Sequence, residues 1–249
     1  MKLSKRVHPH YWRIKLFLKR ISGQDLWIRS DVVLETHACG PWTYFKNHLG
    51  SDSIMYSLGV GDEVRFDLEI IEVCGLTIYA FDPTPTSMEW ITSQELPGQF
   101  VFHQWAVSGN DGVLRMAQRV NSRGKKSAGM WTSVLESSND AATIEVPCYS
   151  LPTIMDKLNH ERIDLLKMDV EGSEYEIIES MLAMPHKPSQ LLVEFHHRFP
   201  GIGMEKTAEC INNLRAAGYK IFTVSVTGRE VGFIHESVLS KEGRADDVT

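Results

Sequence analysis

The segment Leu165-Leu166-Lys167-Met168-Asp169-Val170-Glu171-Gly172-Ser173-Glu174 changes character midway. Its apolar half, from Ile163 to Met168, reads as a strand buried on both faces. Gly172 turns the chain, and a helix follows from Ser173 to Leu182. If the extended geometry persists, period two puts Lys167, Asp169 and Glu171 on one face. One base and two acids at the end of a buried strand cost free energy unless they are paired or used. Lys167 reads as pairing with an acid, and Glu174 as suiting the positive end of the helix. Asp169 reads as functional.

One strand further on, Leu191-Leu192-Val193-Glu194-Phe195-His196-His197 repeats the theme. Glu194 and His196 share a face under period two, and His197 points away. An acid and an imidazole beside Asp169 suit deprotonation of a hydroxyl. Asp169, Glu194 and His196 also suit a divalent ion, although no metal ligand is assigned. For one histidine alone, a backbone carbonyl partner is the plainer reading. Three such residues converging on one edge favour a site. Beyond them come a helix from Met204 to Ala217, ended by Gly218, and a closing antiparallel pair, Tyr219–Val226 and Val231–Glu236.

The same alternation runs toward the N-terminus. Ile54–Leu58 and Leu76–Phe81 read as strands around a helix carrying Val64, Leu68 and Ile71. Phe100–Val107 reads as a third strand. Residues 117–142 are polar and read as an insertion or long loop, a mobile cap over the acceptor site. Ser150–Asn159 reads as a helix with Leu151, Ile154, Met155 and Leu158 as its buried stripe. Strands alternating with helices predict an α/β protein, a mostly parallel sheet with helices on both faces.

In such a sheet ligands sit beyond the carboxyl ends of the strands. Ser57-Leu58-Gly59-Val60-Gly61 gives a tight turn there. Asp82, 21 positions after Gly61 and followed by Pro83, suits both hydroxyls of a ribose. Trp105, Ala106 and Val107 suit the wall of an adenine site. A dinucleotide wants a third glycine at the position of Val64. S-adenosylmethionine has no pyrophosphate to cradle, so the pattern leans toward it.

Composition narrows the class. Of 249 residues, 43% are hydrophobic and 23% charged, so disorder is excluded. Net charge is −6, which argues against nucleic acid as a partner. No apolar run suits a membrane span or a signal peptide. Cys39, Cys74, Cys148 and Cys210 form no paired motif and read as thiols of a reducing, cytoplasmic compartment. The first 24 residues carry basic and apolar side chains and no acid. Ile14, Phe17, Leu18 and Ile21 share a helical stripe there. Packing on the domain edge is the favoured reading, with weak peripheral membrane contact as the other.

The stretch from Val146-Pro147 through Leu151 and Ile154 to Glu176, with its K-x-D-V-E-G-x-E string at Lys167–Glu174, strongly resembles FkbM-type S-adenosylmethionine-dependent methyltransferases. Tyr56–Gly61 and Tyr79–Pro85 look like the first and second motifs of one branch. The resemblance spans residues 54 to 197, with a tail to 236. It implies a class I methyltransferase (Rossmann-like) fold: a seven-stranded, mostly parallel sheet with an antiparallel last strand. Residues 51–249 would form that domain, and 1–50 an N-terminal extension. It further implies S-adenosylmethionine as methyl donor and O-methylation of a hydroxyl on a sugar, glycan or natural product.

Carried onto this chain, Ser57, Gly59, Gly61, Asp82, Pro83 and Ala106 belong to the cofactor site. Asp169 and Glu171 border the transfer site, with Glu194 and His196 close by. The sequence departs from the pattern at Ser57, where many methyltransferases have an acid, and at Glu63, where many have a third glycine. A catalytically inactive relative that serves as a binding or scaffold module is the alternative. A nicotinamide-dependent oxidoreductase is the third reading, and Val64 speaks against it.

Overall fold

The computed structural model describes residues 9–120, 126–133, 143–199 and 201–242. In chain order they form α1 (Pro9–Ile21), β1 (His37–Cys39), β2 (Trp42–Tyr44), β3 (Ile54–Leu58), α2 (Arg65–Cys74), β4 (Thr77–Phe81) and α3 (Pro85–Thr92). Then come β5 (Phe100–His103), β6 (Ala106–Val107), β7 (Gly112–Val120), β8 (Lys126–Ser133), β9 (Thr143–Tyr149), α4 (Leu151–Leu158) and β10 (Leu165–Met168). The chain continues through α5 (Glu174–Leu182), β11 (Gln190–Glu194), α6 (Gly203–Ala216), β12 (Tyr219–Val224), β13 (Glu230–His235) and α7 (Glu236–Glu242).

Seven strands make one sheet in the order β12-β13-β11-β10-β3-β4-β5. β3, β4, β5, β10 and β11 run parallel, and β13 is antiparallel to both of its neighbours. Strand order reverses between β3 and β10, the place where such sheets open to a ligand. Alternate residues feed two cores. Leu166, Met168, Leu191 and Val193 pack under α4, α5 and α6. Leu165, Leu192, Met55 and Ile78 pack on the other side, with α2 and the β1-β2 hairpin. The closing pair is found with β13 inside the sheet and β12 at its edge.

Residues 42–49 belong to this core. Trp42, Tyr44, Phe45 and Leu49 are buried in it. The side chain of Gln190, wholly buried in β11, accepts from Phe45 N at 2.8 Å and donates to Phe45 O at 3.0 Å. Asp25, also buried, pairs with Arg198 and lies 3.4 Å from His197 Nε2. α1 lies outside the core. It meets the domain through Leu16, which packs on Gly228, and through Arg20, which donates to Leu26 O at 2.6 Å, so the expectation of a packed edge helix holds for one side of it.

Two expectations need correction. Phe100–Val107 is not one strand: β5 ends at His103, and β6 belongs to a second sheet of order β6-β9-β7-β8. The segment read as a loop supplies much of that sheet. β7 pairs antiparallel with both β8 and β9, and Met116, Val146, Cys148 and Ala106 form its small core. The polar residues between mask this pattern, because the pairing partners Met116 and Ile144 lie far apart in sequence. Residues 121–125 and 134–142 of the expected cap lie outside the described residues. Among the described residues, no helix is long and apolar enough to cross a membrane. All four cysteines are unpaired thiols.

Candidate active site

The turn after β3 explains its own glycines. Gly59 has φ 81°, and a Cβ there would lie 1.8 Å from the backbone oxygen of Asp169. The carboxyl ends of β3 and β10 therefore touch only because Gly59 has no side chain. Asp169 N donates to Leu58 O at 2.9 Å and completes the contact. Gly61 has φ 60° with open space around it.

Asp82 is the strut of this turn. Its Oδ2 accepts from Val60 N at 3.0 Å and Gly61 N at 2.9 Å. Its Oδ1 accepts from Thr84 N at 2.9 Å and Thr84 Oγ1 at 2.6 Å. A carboxylate offers about four acceptor positions, so those expected for two ribose hydroxyls are engaged within the protein. Thr84 Oγ1 also lies 2.7 Å from Ser87 Oγ, a partner to which it can turn.

A cavity of about 310 Å³ opens at this edge. Gly59, Gly61, Asp82, Pro83, Ala106, Asp169 and Glu171 line it, as do Phe81 and Trp105. Ser57, Glu194 and His196 do not. Ser57 is wholly buried within β3, opposite Lys167 in register, and its Oγ accepts from Lys167 Nζ at 3.4 Å. Ser57 thus lies beneath the cavity rather than on its wall, one layer down β3 from Gly59. Lys167 also reaches Gly59 O at 3.4 Å and lies 5.2 Å from the centre of the Trp42 ring. Among the described residues no carboxylate lies within 4.0 Å of it, so the expected acid partner is replaced by a hydroxyl, a carbonyl and a π face. Leu114 and Met116 of β7, together with Thr84 and Ser87, line the cavity without having been expected.

Asp169, Glu194 and His196 do meet. His196 Nε2 lies 3.7 Å from Asp169 Oδ1 and 4.0 Å from Glu194 Oε1. His197 turns the other way, to Asp25, as period two requires. His196 is held by Glu174, the first residue of α5. Glu174 is fully buried; its Oε1 accepts from His196 N at 2.8 Å and lies 3.3 Å from His196 Nδ1. Its other oxygen accepts from Gly172 N at 2.9 Å. Glu174 thus does more than suit a helix end; it fixes the His196 backbone and sets a carboxylate beside the ring.

Burial opposes charge on His196, but Glu174, Asp169 and Glu194 outweigh it and hold its pKa above the ordinary value. Burial, reinforced by Asp169, pushes Glu194 up to about 7, against the pull of Arg229, whose Nη1 lies 2.6 Å from its Oε1. Asp169, Glu171 and His196 offer ligand atoms within 4.8 Å of one another, a spacing that suits a divalent ion.

These shifts have a thermodynamic sign. A carboxyl with a raised folded pKa stabilises the fold fully below its unfolded value, near 4.5, and that contribution is lost as pH rises through about 7. His196, also raised, acts in the same direction. Urea unfolding followed from pH about 4.5 to above 7 should show stability falling with pH more steeply in wild type than in Glu194→Gln. Parallel profiles would remove Glu194 from the buried cluster.

The strand order, with the antiparallel strand inserted next to the edge and a glycine turn at the reversal point, defines a class I methyltransferase architecture. The profile of the methyltransferase FkbM domain matches residues 35–221, and the chain belongs to that family. The match begins before residue 50, in keeping with the buried hairpin. Similar curated proteins include the probable methyltransferase-like protein 24 of Homo sapiens and of Rattus norvegicus, each 25% identical over 151 residues. Those alignments cover 59% of this chain and 33% and 34% of the relatives, so the chain spans about a third of their length.

Among solved structures, a Methanococcus jannaschii fibrillarin pre-rRNA processing protein aligns with TM-score 0.46 at 15% identity, over 75% of this chain and 68% of the other. A Methanosarcina mazei protein described as a SAM-dependent methyltransferase aligns with TM-score 0.28 at 15% identity, over 78% of each chain. At such scores the strand order, not the likeness, is the ground for the fold.

Proposed function

We propose that the chain transfers a methyl group from S-adenosylmethionine to a hydroxyl oxygen of a small molecule or glycan, with Asp169 taking the proton. One observation carries this reading. The carboxylate of Asp169 stands on the cavity wall where the glycine turn meets β10, partly exposed, with His196 and Glu194 buried behind it.

The cavity's residues fit the cofactor. Phe81 and Trp105 offer apolar walls for a purine, and Gly59 and Gly61 keep the turn bare. A ribose hydroxyl reaches Asp82 Oδ1 once Thr84 Oγ1 turns to Ser87 Oγ. Val64 is buried in the core at the start of α2, where a pyrophosphate fingerprint needs glycine, which disfavours a dinucleotide. When bound, S-adenosylmethionine supplies an electrophilic methyl group on a sulfonium. The chain's own work is positioning the acceptor in line, excluding water, and holding the released proton at an Asp169 oxygen. The carboxylates of Asp62 and Asp169 on the cavity wall, with the chain's net charge of −6, favour a neutral acceptor over a nucleic acid. Unpaired thiols support a reducing compartment such as the cytoplasm.

The engaged carboxylate of Asp82 favours a second reading, a binding module without turnover. The spacing of Asp169, Glu171 and His196 adds a divalent ion as a variant of the first. Calorimetric titration with S-adenosylmethionine and its demethylated product decides the cofactor. Wild type should bind, and Asp82→Asn, which keeps the shape and loses the charge, should bind about ten- to a hundredfold more weakly. No binding by folded wild type would refute the reading. Binding without methyl transfer to any of a panel of polyols and glycans, with or without added magnesium, would leave the module.

A further inference from the structure

Helix α1 shows an apolar face that the rest of the protein leaves uncovered. Tyr11, Ile14, Phe17, Leu18 and Ile21 are each more than half exposed, up to 63% at Ile21. At about 100° per residue they share one arc, roughly 120° wide, with His10 at its N-terminal end. Leu16 lies on the opposite side and alone is buried, on Gly228. The helix is therefore fixed with its apolar stripe outward. Trp27 extends the patch: it is 51% exposed and meets Phe17 edge-on at 6.1 Å.

Charge says what covers this face. The helix contains Arg13, Lys15, Lys19 and Arg20 and no acid, although the chain as a whole is acidic. Arg13 and Lys15 lie just beyond the two borders of the apolar arc, where long cationic side chains can reach headgroups while the stripe is submerged. Arg20 is held in place by Leu26 O, at 2.6 Å from its Nε, with its guanidinium over Trp27. We propose that α1 is an interfacial helix that docks the protein on an anionic membrane surface.

The helix also lies near the site. The turn beneath Leu16 joins β12 to β13, and β12 runs parallel to β11, so this turn is at the carboxyl edge of the sheet. Arg198, two residues after His196, donates to Thr227 O at 2.8 Å in that turn and pairs with Asp25 just beyond α1. Docking through α1 sets the edge that carries the cavity beside the lipid surface. The proposal does not depend on methyl transfer.

Co-sedimentation of the full chain with phosphatidylcholine vesicles, with and without phosphatidylserine, tests it. Wild type should sediment with the anionic vesicles, less with the neutral ones, and less as salt rises. Phe17→Glu/Leu18→Glu should reduce binding at least about tenfold with its unfolding midpoint unchanged. Lys15→Glu/Lys19→Glu keeps the apolar face and should lose the preference for phosphatidylserine; it carries the test if the first variant misfolds. Wild type that stays in the supernatant at low salt overturns the proposal, as does undiminished binding by both variants. So does a vesicle-free dimer that Phe17→Glu/Leu18→Glu dissociates, which would make a second copy the occupant.

Discussion

Gly59→Ala should cost several kcal/mol of stability and abolish cofactor binding, while Gly61→Ala should cost about 1–2 kcal/mol, the ordinary penalty for a side chain at positive φ. The two glycines share a turn and a backbone region, with φ 81° and 60°. They differ in what lies beyond the hydrogen. At Gly59 an added methyl meets the Asp169 oxygen at 1.8 Å and its carbonyl carbon at 2.8 Å, both backbone atoms with nowhere to retreat. At Gly61 it meets nothing within 4 Å. Relief at Gly59 requires β3 and β10 to part, which breaks the Asp169 N to Leu58 O bond and moves the Asp169 carboxylate. Overpacking of this kind adds about 1–3 kcal/mol to the conformational penalty, a large share of a typical domain's stability of about 5–15 kcal/mol. Urea unfolding of both variants beside wild type measures it. Equal losses would show that β3 and β10 do not touch at Gly59.

What the sequence made legible was local. Lys167 through Glu174 revealed a strand, a turn and a helix because apolar run, glycine and acids follow one another directly. Period two sorted Glu194 and His196 from His197, and the contacts agree. The parts that stayed hidden depend on distant partners. Asp82 was expected at a ribose, but its acceptor positions serve the Gly59–Gly61 turn and Thr84, and only the folded loop reveals that demand. Glu174 looked like a helix-end charge, yet its principal partner, His196, is 22 residues away. The second sheet hid because β9 closes on β7 and β6 across a polar stretch. α3 is different, since its signals are local: Thr84 accepts from Ser87 N at 3.3 Å and Pro85 opens the helix.

Asp169→Asn should lower turnover by about 10²–10⁴-fold while leaving S-adenosylmethionine affinity near wild type. Asparagine keeps the size and one acceptor oxygen, so the cavity wall is preserved. What it loses is the ability to accept a proton from the attacking hydroxyl. Glu171 also stands on the wall but projects from a residue at φ 51°, beyond the strand, whereas Asp169 follows β10 directly and is tied to Leu58 by its backbone. His196 lies behind Asp169 and outside the cavity lining, where Glu174, Asp169 and Glu194 hold its pKa up. That makes it a better partner to a carboxylate than a base. The substitution therefore has a second signature. Asp169 is one of the charges that raise His196 and Glu194, so both should titrate at lower pH in Asp169→Asn, the imidazole visibly so by NMR. Lost turnover with a lowered imidazole pKa and intact cofactor binding is the expected set. Unchanged turnover with the pKa lowered would make Asp169 a structural charge and send the search for the base to Glu171.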